Sequence, residues 1–237
     1  LQELIATVIS DEARARWNEL GQGKLQKNQF SDLLTFWSPT VNMARDPRWG
    51  RTPETYGEDP YLSGVLGAAF VKGLQGDDPR YLKVVSTPKH FAANNEEHNR
   101  FECDAIIPER DLREYYLPAF ERCVREGNAQ SIMSSYNMVN GTYANENKHL
   151  LQEILRDTWG FDGFVVTDWE GDTGLAVECI QAGNDLLMPG FPGMVDWLCK
   201  RVQDGSLART DLEACAGRLL NVVMRSAAME RYLSKEA

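Results

Sequence analysis

The stretch GFVVTDWEG, residues 163–171, places an apolar run directly before an acidic residue and an indole. Its continuous Phe-Val-Val segment indicates a strand that is buried on both faces, as in a parallel sheet. A run with helical periodicity, GLAVECIQAG at residues 174–183, comes next. The two runs predict a strand–helix unit whose strand carries Asp168 and Trp169 at its carboxyl end.

Four other pairs of runs repeat this order along the chain. The alternation of apolar runs and helical patterns predicts an α/β protein with a parallel sheet and crossover helices. The apolar runs are 33–43, 81–93, 129–137 and 184–190, and the helical runs are 61–76, 111–127, 147–160 and 194–205. The glycines that follow the helical patterns are predicted to be left-handed caps, and they are Gly76, Gly127, Gly160, Gly183 and Gly205.

Polar residues collect at five predicted strand ends, which favours a barrel over an open sheet. A TIM-type (β/α)8 barrel needs eight units and about 250 residues, whereas the chain of 237 residues shows five units. Residues 1–20 have the pattern of a helix that closes an earlier unit. We therefore expect residues 1–237 to form one domain, a partial TIM barrel that lacks its amino-terminal units.

The composition excludes several classes of protein. Apolar residues make up 43% of the chain and charged residues 25%, which is typical of a globular protein and not of a disordered or fibrous one. Lys and Arg number 25 against 35 Asp and Glu, so the net charge is −10. That charge repels phosphate backbones and anionic lipids, and no apolar run approaches the roughly 20 residues of a membrane span. We expect neither nucleic acid nor a membrane as a partner.

The cysteines argue against a disulfide framework. Their number is odd and no C-x-x-C pair occurs, which also argues against a zinc site. Unpaired thiols mildly favour the cytoplasm, but a periplasmic or secreted location stays open because the chain begins without Met. The five are Cys103, Cys123, Cys179, Cys199 and Cys215.

Three polar runs carry the candidate chemistry. The loop 38–62 is too rich in Arg, Pro and Gly for a core, and its charged residues, apart from Arg51, are expected to pair mostly among themselves. Lys89 and His90 end a buried strand, where adjacent side chains normally point to opposite faces, so only bent backbone brings both to one pocket. Asp168 follows Phe-Val-Val-Thr, where a buried carboxylate needs a partner or a role.

Structural roles are the alternatives for several of these residues. A helix cap is the alternative for Asp168, but Asp172 or Thr173 suits that position better. Met133 and Tyr136 follow another strand, where such side chains are more often core than ligand contacts.

A metal site is another interpretation of residues 87–100. His90, Glu97 and His98 offer the mixed ligands that divalent metals accept. Their spacing matches no metal motif, so we expect no metal.

Together these runs resemble the catalytic barrel of glycoside hydrolase family 3, which includes β-glucosidases and related exo-acting β-glycosidases. The resemblance covers nearly the whole chain, in the right order. It implies that residues 1–237 are the family's N-terminal catalytic barrel domain, incomplete at its amino-terminal side. The matching runs are 38–62, 87–100, 111–127, 131–141 and 159–171.

The resemblance also implies roles for individual residues. Asp168 matches the nucleophile that attacks the anomeric carbon and forms a glycosyl ester in retaining hydrolysis. Further residues match those that hold the terminal sugar in subsite −1, by hydrogen bonds to its hydroxyls or by contact with its ring. They are Arg51, Lys89, His90, Met133, Tyr136 and Trp169. Family members carry non-proline cis peptides after the Lys-His pair, which would turn both side chains toward the sugar.

The general acid is the part of the family pattern that this chain does not show. In two-domain members the acid comes from an α/β sandwich domain after the barrel, and we expect that domain to be absent from this chain. Single-domain N-acetylglucosaminidases use an Asp-His pair in a Gly-rich loop, whereas this chain reads KHFAANNEEHNR at residues 89–100. Glu96, Glu97 and His98 are the fallback candidates.

We therefore expect an exo-acting retaining β-glycosidase of the β-glucosidase type that acts on β-linked oligosaccharides or aryl and alkyl β-glycosides. The Asp-Trp pair favours a glucosidase over the Asp-Cys of many xylosidase-type members. A β-xylosidase or mixed specificity, and a non-catalytic carbohydrate-binding protein on the same barrel, are the alternatives. No cofactor is expected, because acetal cleavage needs two carboxyl groups and water. The expected partners are the missing barrel and sandwich segments, without which the chain is inactive, and a homo-oligomer stays open.

Overall fold

A row of parallel strand segments forms the centre of the fold. The computed structural model describes residues 1–21, 34–171, 176–226 and 229. In chain order the strands are β1 (Thr35–Phe36), β2 (Val85–Ser86), β3 (Asp104–Ala105), β4 (Ser131–Ser134), β5 (Met138–Val139), β6 (Thr142–Tyr143) and β7 (Phe164–Thr167). Parallel pairing joins β1 to β2 and β4 to β7. A bridge from Phe91 to Ser134 connects the two pairs, and Val166 bridges to Leu186 beyond β7, so the predicted α/β class is confirmed.

Both faces of this row are buried, as the continuous apolar runs predict. Val84 packs on the helix side with Ala6 and Leu74, whereas the next residue, Val85, packs on the opposite face with Val166. The alternation follows from the period of two in a strand. The carboxyl ends of the strands therefore meet at one rim above an apolar interior.

Apart from the last one, the helices overlap the predicted helical runs in position. They are α1 (Gln2–Gly21), α2 (Pro60–Gln75), α3 (Glu109–Asp111), α4 (Pro118–Arg125), α5 (Ala176–Ala182), α6 (Met194–Gln203) and α7 (Arg209–Met224), with π-helical segments at Leu112–Tyr116 and His149–Thr158. Asp59 caps α2 by accepting a hydrogen bond from the backbone N–H of Leu62 at 2.6 Å. The predicted runs 33–43 and 174–183 include residues 33, 174 and 175, which lie outside the described residues, as do Asp172 and Thr173.

The predicted glycine caps are confirmed at four of five positions, where φ is positive. Gly127 is the exception, and the prediction there was wrong: Asn128, with φ of 55°, adopts the left-handed conformation instead. Asn tolerates this conformation better than other non-glycine residues. Gly127 is still required, because a Cβ there would lie 2.6 Å from the carbonyl oxygen of Cys123.

Two elements were not predicted. A small sheet of β3, β5 and β6 lies outside the central row, and α7 follows the last predicted helix. The strands of the small sheet have only two residues each, too few to show an alternating pattern. Among the residues that the structure describes, none of the helices combines the length and the apolar character that crossing a bilayer requires.

Candidate active site

Asp168 lies at the rim, one residue after β7 ends. Its side chain is 14% exposed, and Oδ2 lies 3.6 Å from Nε2 of His90. Oδ1 accepts a hydrogen bond from the backbone N–H of Trp169 at 2.7 Å, which fixes the orientation of the carboxylate. The other carboxylate oxygen, Oδ2, thus faces His90 at the rim.

His90 is held by a single side chain, that of Asn42. The amide of Asn42 accepts from the backbone N–H of His90 at 2.7 Å and donates to its carbonyl oxygen at 2.9 Å, which fixes the amide orientation. Oδ1 of Asn42 also lies 3.2 Å from Nδ1 of His90, so Nδ1 is the nitrogen that carries the proton. Burial, together with the cations Arg51, Lys89 and Arg100, holds the pKa of His90 well below its usual value. The ring is therefore neutral, and Nε2 is a hydrogen-bond acceptor.

Lys89 and Arg51 supply positive charge on the same side. The peptide bonds Lys89–His90 and Phe91–Ala92 are cis, as the resemblance implied. Burial and the neighbouring Arg51 lower the pKa of Lys89, and Glu54 and Asp168 partly offset this. Arg51 donates to both oxygens of Glu54, at 3.0 and 3.1 Å. Burial acts against the charge of Arg51, but the hydrogen bonds to Glu54 and the nearby carboxylates raise its pKa.

Arg100 is a site residue that the sequence analysis missed. Its guanidinium lies 4.4 Å from the ring centroid of Tyr136, and Nη1 donates to Oε2 of Glu97 at 3.0 Å. It is also among the cations that lower the pKa of His90. The only sequence signal was a further basic residue in the run that contains Lys89 and His90, and the direction of a loop side chain does not follow from spacing.

An aromatic group borders Asp168 on its other side. Tyr136 donates its hydroxyl hydrogen to the carbonyl oxygen of Trp169 at 2.6 Å, and burial and the charge of Asp168 raise its pKa. Trp169 is 39% exposed and its ring centroid lies 5.8 Å from that of Trp37. The arrangement offers a half-exposed indole face next to a carboxylate and several polar groups.

Met133 lies inside β4, one residue before that strand ends. It is 1% exposed and packs in an apolar cluster with Val85 and Val166. The side chain of Met133 therefore contributes to the interior of the barrel below the rim, because its place in the middle of β4 sets it there.

Two of the three fallback acids, Glu96 and Glu97, are engaged in other contacts. Glu96 accepts from the backbone N–H groups of His98 and Asn99, at 2.7 and 2.6 Å, and so closes a turn. Glu97 accepts from Nε1 of Trp49 at 3.0 Å as well as from Arg100. Within residues 1–21, 34–171 and 176–226, no group of three or more His, Cys, Asp or Glu side chains is arranged to hold a metal ion.

A cavity of about 680 Å³ opens beside this loop. Trp49, Asn95 and Glu97 are part of its lining, whereas Asp168 is not. The cavity therefore lies between the loop 38–62 and residues 95–98 and does not contain Asp168.

The chain is similar in sequence to a known family and to characterised proteins. It matches the glycosyl hydrolase family 3 N-terminal domain over residues 14–222. A thermostable beta-glucosidase B from Acetivibrio thermocellus is 41% identical over 196 residues, which cover 82% of this chain and 25% of that protein. An exo-1,4-beta-xylosidase from Emericella nidulans is 44% identical over 191 residues, which cover 78% of this chain and 23% of that protein.

Solved structures resemble the chain over nearly its whole length. Beta-glucosidase 3B from Thermotoga neapolitana in complex with glucose has a TM-score of 0.79 and 35% identity, covering 97% of this chain and 32% of that one. A family 3 exo-beta-xylosidase in complex with a xylobiose aziridine probe has a TM-score of 0.82 and 31% identity, covering 94% and 30%. The chain spans about a quarter to a third of the length of these relatives. By its sequence match and its fold, the chain belongs to glycoside hydrolase family 3, whose N-terminal domain is a TIM-barrel-like α/β fold.

Proposed function

We propose that the full-length protein is an exo-acting retaining β-glycosidase of the β-glucosidase type, with Asp168 as its nucleophile. The observation that carries the proposal is the position of the Asp168 carboxylate, which is 14% exposed at the end of β7 and 3.6 Å from His90. A carboxylate brought to a rim among cations has no packing role, and it suits attack on an anomeric carbon. Relatives named as glucosidases and xylosidases support the reaction class.

The neighbouring side chains fit the hydroxyls of a terminal sugar. Arg51, Lys89 and Arg100 are donors, and neutral His90 offers Nε2 as an acceptor, so the site can bind hydroxyls in both directions. Trp169 presents an indole face for the apolar side of a pyranose ring. The carboxylate of Asp168 also offsets the positive charge that develops on the sugar in the oxocarbenium-like transition state. Met133 remains in the proposed binding set, because its exposure of 1% equals that of His90.

In this proposal the general acid comes from a part of the full-length protein beyond the described residues. Glu54 is engaged by Arg51, and Glu97 by Arg100 and Trp49. A carboxylate whose oxygens accept from cations is poorly suited to deliver a proton to a leaving group. In the first step that acid protonates the leaving oxygen while Asp168 attacks the anomeric carbon, and in the second step the same residue acts as the base for the water that hydrolyses the ester.

A β-xylosidase is the second candidate, because xylosidases occur among the relatives at similar identity. Xylosides lack the hydroxymethyl group of glucosides, so hydrolysis rates for aryl β-glucoside and aryl β-xyloside separate the two candidates. We expect the higher kcat/KM for the glucoside, because Trp169 follows Asp168 where many xylosidase-type members have Cys.

A mechanism-based label tests the proposal. We expect dinitrophenyl 2-deoxy-2-fluoro-β-glucoside to inactivate the full-length protein and to leave one fluoroglucosyl group on the peptide that contains Asp168, as read by mass spectrometry. Asp168→Asn is the control, and it should remain unlabelled. A wild-type protein that binds glucose and is never labelled would be a carbohydrate-binding protein and not a retaining glycosidase.

A further inference from the structure

Glu97 lies between the two arginines of the site and is bound on both oxygens. Oε2 accepts from Nη1 of Arg100 at 3.0 Å. Oε1 accepts from Nε1 of Trp49 at 3.0 Å and lies 3.9 Å from Nη1 of Arg51. The side chain is 27% exposed, so these contacts are only partly screened by water.

The contacts of Arg51 give Glu97 a specific part in the geometry. Glu54 takes the Nε and Nη2 groups of Arg51, and Nη1 remains on the side of Glu97. Two guanidinium groups repel each other, and a carboxylate between them offsets the repulsion. Glu97 is thus the group that keeps Arg51 and Arg100 next to one another.

Trp49 fixes the carboxylate in turn. Its ring is 4% exposed, so its position is set by packing, and Glu97 is the partner of its indole N–H. A buried indole N–H is rarely left without an acceptor. The indole therefore orients Oε1 and directs Oε2 toward Arg100.

We propose that Glu97 is a positioning residue that holds Arg51 and Arg100 at the spacing required by the terminal sugar, and that it is not the general acid. This inference rests on the proposed function. A displacement of about 1 Å at a positioning group can cost about 100-fold in rate. Because the arginines contact the sugar and not the leaving group, loss of Glu97 lowers kcat/KM by the same factor whatever the leaving group is.

The test compares Glu97→Gln with wild-type full-length protein on two substrates. One is methyl β-glucoside, whose departure needs an acid, and the other is 2,4-dinitrophenyl β-glucoside, whose departure does not. We expect kcat/KM to fall about 100-fold on both, without rescue by azide, and the dissociation constant for glucose in calorimetry to rise about tenfold. Glu97→Asp keeps the charge and should recover part of the loss.

Glu102→Gln is the matched control, because Glu102 is an exposed carboxylate in the same loop without a side-chain hydrogen bond in the structure. Its kinetics should equal those of the wild type. If Glu97→Gln fails to fold, Trp49→Phe is the second variant, because it removes the indole N–H and keeps an aromatic ring. It should give a smaller loss of kcat/KM, equal on the two substrates.

Two results would overturn the inference. One is loss of methyl glucoside hydrolysis with full dinitrophenyl glucoside hydrolysis and azide rescue, which would make Glu97 the acid. The other is kinetics and glucose affinity equal to those of Glu102→Gln. A wild-type protein that binds glucose but hydrolyses neither substrate would refute the proposed function, and the glucose affinity of Glu97→Gln would still decide the role of Glu97.

Discussion

His90 contacts both the side chain that holds it in place, Asn42, and the proposed nucleophile, Asp168. Its backbone and its ring are both held by Asn42, and its free nitrogen faces the carboxylate of Asp168. The neutral ring can accept a hydrogen bond from a sugar hydroxyl but cannot add to the positive charge of the site. In the proposed function, the donors to the glycone are then Arg51, Lys89 and Arg100.

Asn42→Ala tests how much this geometry depends on one amide. The substitution leaves the buried N–H and carbonyl of His90 without partners, at a cost of about 1–3 kcal/mol for each group. We expect a lower free energy of unfolding by denaturant and a kcat/KM reduced about 100-fold. Asn42→Asp keeps the acceptor and should lose less of both. An Asn42→Ala protein with wild-type kcat/KM would show that His90 needs no such support.

His90 also predicts a pH dependence of stability. In the unfolded chain it binds a proton below about pH 6.5, whereas burial, Arg51, Lys89 and Arg100 keep its folded pKa well below that value. The unfolded state therefore binds more protons, and the free energy of unfolding falls as the pH drops below about 6.5. The contribution reaches about 1.4 kcal/mol per pH unit.

Denaturant unfolding between about pH 7.5 and about pH 5.5 measures this slope. His90→Gln removes the titrating group and should flatten it, while all other groups titrate alike in both proteins. Equal slopes in His90→Gln and wild type would contradict the prediction.

The part of the site that could be predicted is the part attached to strands. Asp168 follows β7 and Tyr136 follows β4, and a strand end has a known place at the rim. Asn42, Glu97 and Arg100 lie in irregular segments, where periodicity does not tell which way a side chain points. Met133, in contrast, lies inside β4 and not at its end, and its side chain packs in the interior.

At the scale of elements, the alternation of strand and helix patterns predicted the parallel sheet, whereas the weaker patterns of α7 and of the small sheet were missed. The helix α7 shows apolar residues at Leu212, Cys215, Leu219 and Val222, a helical spacing that could have been read. The strands β3, β5 and β6 have two residues each, too short for any alternation to be visible. Their pairing depends on contacts between distant parts of the chain, which spacing alone does not contain.

A buried ion cluster fastens α7 to the sheet. Asp185, with a side chain 0% exposed, accepts from Nη2 of Arg156 and from Nε of Arg218, each at 2.7 Å. It also accepts from the backbone N–H of Val165 in β7 at 2.7 Å. The cluster therefore connects a strand, a π-helical segment and the last helix.

Asp185→Ala leaves two arginines and a backbone N–H without their acceptor. Removing one partner of a buried ion pair costs about 3–5 kcal/mol, and we expect a loss of that size in the free energy of unfolding. Glu213→Ala, which breaks an exposed pair with Arg209, is the control and should cost at most about 1 kcal/mol. Similar losses in the two variants would mean that the cluster does not fasten α7.

At the scale of the whole molecule, an acidic chain of net charge −10 carries a local cluster of cations at its rim. The cluster is balanced by Asp168, Glu54 and Glu97, so the site suits a neutral sugar more than an anion. We propose that residues 1–237 are one domain and that its row of strands is part of a barrel that other segments of the full-length protein close. Among the described residues, β1 and Leu186 stand at the two ends of the row and pair on one side only.

The last prediction follows from those two ends. Unpaired strand edges favour association with other chains. Leu1, just before α1, is 94% exposed, and Leu4 and Val8 in α1 are 63% and 49% exposed. Residues 1–237 produced alone should bind a hydrophobic dye and form larger species in size-exclusion chromatography, unlike the full-length protein. Co-expression with the remaining segments as a separate chain should lower the dye signal. A fragment that is monomeric and does not bind the dye would contradict this prediction. It would mean that residues 1–237 protect the edges of the row of strands without other segments.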